Sequence, residues 1–188
     1  MMLYDPFNWY WRAEDGRLYS SKVQALVPET DPDYLAWLPE GDTPPNWPRD
    51  MEGTQSDAAL QAVLDPYLLF VNLEYAAANE RWKAETGGVT ITGIASAPEG
   101  MPIETDDRSK TLVGVQVAAA QADATYATTW AAADGNLYVM TNAEIIAMGS
   151  QLALHVDWCF ETFAGVIQQV RAHKITTRQQ VVEAFKRK

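Results

Sequence analysis

Three observations predict an α+β fold for this chain. A Trp/Asp-Gly/Tyr pattern occurs twice, capped amphipathic stretches lie between and after its two copies, and one long apolar stripe runs near the C-terminus. The first copy is Trp11-Arg12-Ala13-Glu14-Asp15-Gly16-Arg17-Leu18-Tyr19 and the second Trp130-Ala131-Ala132-Ala133-Asp134-Gly135-Asn136-Leu137-Tyr138. Each reads as a β-hairpin, because Asp-Gly suits the positive φ angles of a tight type I′ turn and the flanking Trp and Tyr can meet across the strands. The expected architecture is two small antiparallel aromatic hairpins with about five or six helices, one of them long and spanning about residues 142–173. It divides into an N-terminal unit, residues 1–65, and a C-terminal α+β domain, residues 66–188.

Residues 8–27 form the first hairpin and a trailing extended segment that ends at Pro28. Asp31-Pro32-Asp33 then opens a short helix, with a capping carboxylate and a proline at the first helical position, and Tyr34, Leu35, Trp37 and Leu38 supply its buried side. From Gly41 to Asp50 the prolines Pro44, Pro45 and Pro48 surround Trp47 and forbid helix or central strand. An ordered wrapping loop is expected there, because Trp47 needs a surface to pack on and proline lowers the cost of ordering.

Ser56 caps a helix through Leu64. After the Asp65-Pro66 interruption a second amphipathic helix is expected to run to about Glu85, where Thr86-Gly87-Gly88 stops it. Val89-Thr90-Ile91-Thr92-Gly93-Ile94 alternates like a strand, and Ala95 to Met101 reads as an insertion that lengthens the following loop. Thr105 is placed as the next cap, with Asp106 and Asp107 in the first turn, where carboxylates favour the positive end of the helix dipole. Leu112, Val115 and Ala119 lie along one face of this helix, which ends near Ala122.

Thr141-Asn142-Ala143-Glu144 is a capping box. Beyond it Ile145, Met148, Leu152, Val156, Cys159, Phe163, Val166 and Val170 step by threes and fours, the spacing of a coiled-coil seam. A helix of roughly 30 residues extends about 45 Å, longer than a domain of this size needs to cover its own core. Phe163, Val166 and Val170 are therefore the residues expected in a partner contact, with Trp47 as a further candidate. A last short helix, capped by Thr176 or Thr177 with Gln179 or Gln180 in reach, carries Val181, Val182 and Phe185.

The composition excludes several functions. The 188 residues are 47% hydrophobic, enough to build a core, and the net charge of −11 argues against a nucleic-acid partner, whose affinity rests on clustered cations. The basic cluster Lys186-Arg187-Lys188 complements a helix C-terminus. One cysteine, Cys159, excludes an intrachain disulfide and a multi-cysteine zinc site. The start Met1-Met2-Leu3-Tyr4-Asp5-Pro6 lacks the features of a signal peptide, and no run approaches the roughly 20 apolar residues of a membrane span.

The candidates for chemistry have simpler structural readings. Thr105-Asp106-Asp107-Arg108-Ser109 carries hard oxygen ligands, yet adjacent helix-start residues diverge around the axis and capping explains them. His155 and Cys159 share a helix face, the spacing of an imidazole–thiolate pair, but a cysteine protease would also need an oxyanion hole and an orienting third group, and a zinc site two more ligands. A core cysteine beside a hydrogen-bonded histidine fits better. No phosphate loop, His-Glu-x-x-His or Gly-x-Ser-x-Gly motif is present. No catalytic residue, cofactor site or metal site is expected.

The segments Gly87 to Ile94, Ile103 to Ser109, Trp130 to Gly135, and His155-Val156-Asp157-Trp158-Cys159-Phe160, in that order, resemble a domain of unknown function common in tailed bacteriophages and prophages. The resemblance covers about residues 66–172 and departs from the pattern at the Ala95–Met101 insertion. Asp15 to Ser21 and Asp57-Ala58-Ala59-Leu60 are similar to leaders of phage tail proteins. The resemblance implies a structural component of the tail, a baseplate accessory or tail-fibre connecting adaptor. Such a protein is made in the host cytoplasm, placed in the virion tail, and works through contacts with fibre or baseplate subunits or with itself. The alternative is a non-virion tail-fibre assembly chaperone, and a small metal-dependent hydrolase is the remote alternative. No nucleic-acid, membrane or small-molecule partner is expected.

Overall fold

The computed structural model of the chain describes residues 4–38 and 43–186. Met1 to Leu3, Gly41 and Asp42 at the head of the proline-rich loop, and Arg187 and Lys188 of the basic cluster lie outside them. The fold is α+β, with six helices and three small antiparallel sheets among the described residues. Two compact units divide it, Met1–Ala76 and Ala77–Lys188. No helix among the described residues is long and apolar enough to cross a membrane.

In the first unit, β1 (Tyr10–Arg12), β2 (Leu18–Ser20) and β3 (Ala25–Leu26) form one antiparallel sheet in that order, with Trp11 directly opposite Tyr19. Alternation along the strands sends side chains to two separate cores. Trp11 and Tyr19 pack with Trp47, Leu60, Leu64, Leu69 and Val71, while Tyr10 and Leu18 pack on Tyr34. Asp31 caps α1 (Pro32–Trp37) and Ser56 caps α2 (Asp57–Leu64), each accepting from a backbone N–H in the first turn. Of the residues assigned to the buried side of α1, Leu35 is exposed, because only Tyr34, Trp37 and Leu38 face the sheet.

The proline-rich loop lies along the edge of β1. Arg12 N–H donates to the Pro45 carbonyl (3.0 Å) and Trp47 N–H donates to the Arg12 carbonyl (2.8 Å). Residues 66–72 are not the expected first turns of a helix. A 3-10 turn at Asp65–Tyr67 is followed by Leu68 at φ +56° and then by irregular backbone, with Leu69, Phe70 and Val71 buried. Tertiary hydrogen bonds outcompete the helix here. The buried Gln61 amide donates to the Leu69 carbonyl and accepts from Val71 N–H, and the Tyr19 hydroxyl donates to the Phe70 carbonyl. The helix α3 (Leu73–Thr86) starts only after Asn72, whose side chain accepts from the N–H groups of Glu74 and Tyr75.

The second unit contains a ribbon that the sequence reading missed. After β4 (Val89–Ile91), the chain leaves the segment read as an insertion, Ala95–Met101, as β5 (Met101–Ile103) and pairs antiparallel with β4, Ile91 opposite Met101. The cap of α4 (Asp107–Ala122) is Asp106, not Thr105. Thr105 is buried instead, its hydroxyl accepting from Gly88 N–H at 2.9 Å. The apolar face read for this helix also points elsewhere: Val113 and Ala120 are buried, while Leu112 and Val115 are exposed.

β6 (Thr128–Ala131) and β7 (Leu137–Met140) form the second aromatic hairpin, and Trp130 stands opposite Tyr138 as Trp11 does Tyr19. Both hairpins turn by the same device, and it is not a type I′ turn. Only the glycines are left-handed, Gly16 at φ +89° and Gly135 at +80°, so Asp15 and Asp134 keep negative φ. Ala13 N–H donates to the Arg17 carbonyl and Ala132 N–H to the Asn136 carbonyl. In each loop the aspartate accepts from the backbone N–H two residues on, at 3.0 Å. This is a type I turn closed by a left-handed glycine. Trp11 is buried and Trp130 half-buried. Trp11→Ala is therefore expected to cost about 3–5 kcal/mol in urea unfolding, and Trp130→Ala roughly half of that.

Thr141 and Glu144 form the capping box of α5 (Asn142–Arg171). Glu144 is held below the ordinary carboxylate range first by the N–H of Ala95, then by the N–H and hydroxyl of Thr141. A depressed carboxylate stabilises above its unfolded pKa and loses that contribution as pH falls through the folded one. Glu144→Gln should thus melt below the wild type at neutral pH, with the gap closing below about pH 4 in melting curves across acid pH. Ile145, Met148, Leu152, Cys159 and Val166 are buried along α5, and α6 (Arg178–Ala184) packs back on its end with Val181 buried. Helix α4 crosses α5 closely at Gly149, where a Cβ would stand 2.4 Å from Val117 Cγ2.

Candidate functional site

His155 and Cys159 sit one turn apart on the buried face of α5, with Nε2 and Sγ 3.9 Å apart. Nε2 also lies 3.0 Å from the Ala84 carbonyl oxygen. A carbonyl only accepts, so this nitrogen carries the proton and is not poised to take one from the thiol. The Trp158 ring stacks on the imidazole at 6.1 Å. Cys159 is sealed from solvent, and a reactive thiolate needs an accessible, electropositive setting. The pair therefore fixes α3 against α5. A pocket of about 480 Å³ opens beside it, lined by Gly88, Val89, Pro102, Glu104, Ala133 and His155 among others.

The acidic start of α4 is committed to its own helix. Asp106 accepts from the N–H groups of Arg108 and Ser109 and from the Ser109 hydroxyl, and these bonds, the hydroxyl foremost, hold its carboxyl below the usual range. Asp107 instead faces Lys110 at 3.0 Å. Among the described residues no three His, Cys, Asp or Glu side chains gather as a metal site would require.

The four residues named for partner contact lie as follows. Trp47 is 1% exposed, its indole N–H donating to the Ser56 carbonyl and its ring covered by the Arg17 guanidinium at 4.5 Å. Val166 is 2% exposed, on the helix against which α6 packs. Phe163 and Val170 are half-buried, and Arg81 stands over the rings of Phe160 and Phe163. The deep part of the stripe is thus used within the unit, leaving Phe163 and Val170 on its flank.

Residues 72–185 match the family described as Domain of unknown function (DUF4376). The chain belongs to this family. No curated protein and no solved structure matches the chain significantly. The matched span runs from Asn72, the cap of α3, through α6, so the DUF4376 domain carries the β4–β5 ribbon, the second hairpin and the long helix.

The surface of the DUF4376 domain leaves apolar side chains in solvent at two places. On the β6–β7 hairpin, Trp130, Tyr138 and Met140 face the core and the alternate residues face out, Leu137 at 71% and Val139 at 66% exposure. No charge occurs between Asp123 and Asp134, or between Asp134 and Glu144. On α4, Leu112 and Val115 point outward beside a groove of about 390 Å³ between α4 and α5, lined by Val113, Gly114, Val117, Gly149, Leu152 and Val156 among others. The sequence held a sign of the first surface: Leu137-Tyr138-Val139-Met140 is apolar at every position, and a two-stranded ribbon can bury only one face. The second is a helix with apolar residues on both sides, which periodicity alone assigns to the wrong one.

Proposed function

We propose that this protein is a structural component of a bacteriophage tail, a baseplate accessory or fibre-connecting adaptor that acts through protein–protein contacts and not by catalysis. The observation that carries the reading is the outward apolar face of the β6–β7 hairpin, Leu137 and Val139, on two strands that carry no charge in an otherwise acidic chain. Apolar surface left in water costs about 25 cal/mol per Å², and contiguous exposed apolar surface is a feature of contact sites. The motif order from Gly87 to Phe160, which resembles a domain of tailed phages, supplies the setting. Its partners are fibre or baseplate subunits, and its place is the host cytoplasm during synthesis and the tail afterwards.

Mass spectrometry of purified virions tests this. The expected result is the chain at the abundance of a structural protein, with the Leu137→Lys, Val139→Lys variant folded but missing from particles. Strong expression with no incorporation of the wild type would overturn the virion role in favour of a fibre-assembly chaperone.

A further inference from the structure

The first unit holds a second surface, all of it outside the family-matched residues. Its aromatic side chains form a continuous belt from core to solvent. Tyr10 contacts Trp37 at 4.9 Å, Trp37 contacts Trp9 at 5.1 Å, Trp9 contacts Tyr4 at 5.0 Å, and Tyr4 and Phe7 each meet Tyr67 at 6.3 Å. Most of these contacts are edge to face, and the outer rings stay open to solvent, Tyr4 at 44% and Tyr67 at 37% exposure. There Phe7 is 58% exposed, and Leu68, the next residue after Tyr67, is 66% exposed. Leu68 also holds a left-handed backbone, φ +56°, a conformation that costs a leucine about 1–2 kcal/mol and recurs at functional sites.

The charge around this patch is one-sided. Met1–Ala76 contains 13 carboxylates and 4 cations, a net charge of −9, against −2 for Ala77–Lys188. All four cations are already paired: Arg12 with Glu29, Arg17 with Asp15 and Asp57, Lys22 with Asp33, and Arg49 with Glu14. Asp5 and Asp65, exposed beside Tyr4 and Tyr67 in sequence, face none of them.

We propose that Tyr4, Phe7, Tyr67 and Leu68 form a docking surface for a basic polypeptide segment of another protein, with an arginine side chain stacked on the exposed rings. Arginine satisfies both features at once, because its flat guanidinium lies on aromatic faces while its charge answers Asp5 and Asp65, which accept from Phe7 N–H and the Gln61 amide but face no cation. A second copy using the same face is disfavoured, since it would set −9 against −9. The proposal stands independently of the tail assignment.

Titrating the full-length chain at physiological salt with hexa-arginine and hexa-lysine peptides, followed by tryptophan fluorescence, tests it. Binding should perturb Trp9 through Tyr4, and hexa-arginine should bind several-fold tighter than hexa-lysine. Phe7→Ser combined with Leu68→Gly should weaken hexa-arginine about tenfold and remove the preference over lysine, at a melting temperature no lower than that of the wild type because glycine relieves the left-handed strain. Should that variant melt early, Asp5→Asn with Asp65→Asn decides, by weakening both peptides. Equal affinity of both peptides for wild type and variants, no binding at all, or a wild type that sediments as a dimer through this face would overturn the proposal.

Discussion

Trp47→Ala is expected to lower the stability of the first unit by about 3–5 kcal/mol, the range for truncating a fully buried tryptophan. Three losses combine. The indole fills space against Tyr19, its N–H is bonded to the Ser56 carbonyl at 2.9 Å, and its face carries the Arg17 guanidinium. Because Arg17 also pairs with Asp57 and donates to the Gln55 carbonyl, the start of α2 should loosen with it. A domain with about 5–15 kcal/mol in total loses much of its margin by such a change. Urea unfolding of the full chain should show an earlier transition, with Trp47→Phe intermediate because it keeps the ring but not the donor. A variant that melts unchanged yet loses partner binding would return Trp47 to a contact surface.

Val166→Glu is expected to cost about 3–5 kcal/mol at neutral pH, because it places an unpaired carboxylate where the native side chain is 2% exposed. Burial raises the pKa of such a group in the folded state. The penalty is then smallest at low pH, where the acid is neutral in both states, and grows as pH rises past the unfolded value. Melting curves at acid and neutral pH should show the gap to wild type widening with pH, whether or not a partner is present. Phe163→Glu and Val170→Glu, at half-buried positions, should cost less and are the better probes of association. Equal losses at all three positions would contradict the packing of α6 on α5.

Much of the fold was legible in local chemistry. Asp31-Pro32, Ser56, the Thr141–Glu144 capping box and the Thr177–Gln180 box are short-range devices, and each starts a helix where its side chain satisfies a free N–H. The repeated Trp/Asp-Gly/Tyr pattern likewise became two hairpins with matching registers. Its turn type was misread because Asp-Gly serves two geometries, and the aspartate–amide bond selects the one with a single left-handed residue. Thr105 and Asp106 show the limit at a cap: both are capping residues, and burial of Thr105 under Gly88 leaves the role to Asp106.

By itself the sequence determined the α+β class, the starts of the capped helices, the hairpin positions and the long helix, because caps, turns and periodicity act within a few residues. Only the tertiary structure decided which apolar residues are spent inside. It buried Trp47 and Val166, turned Leu112, Val115, Leu137 and Val139 outward, and drew residues 68–72 and 101–103 out of helix and loop. The physical reason is that an apolar side chain gains the same burial free energy against any neighbour. Its own spacing therefore does not say which neighbour arrives, and a backbone follows its local preference only until a distant partner such as Gln61 or Tyr19 offers its polar groups a better bond.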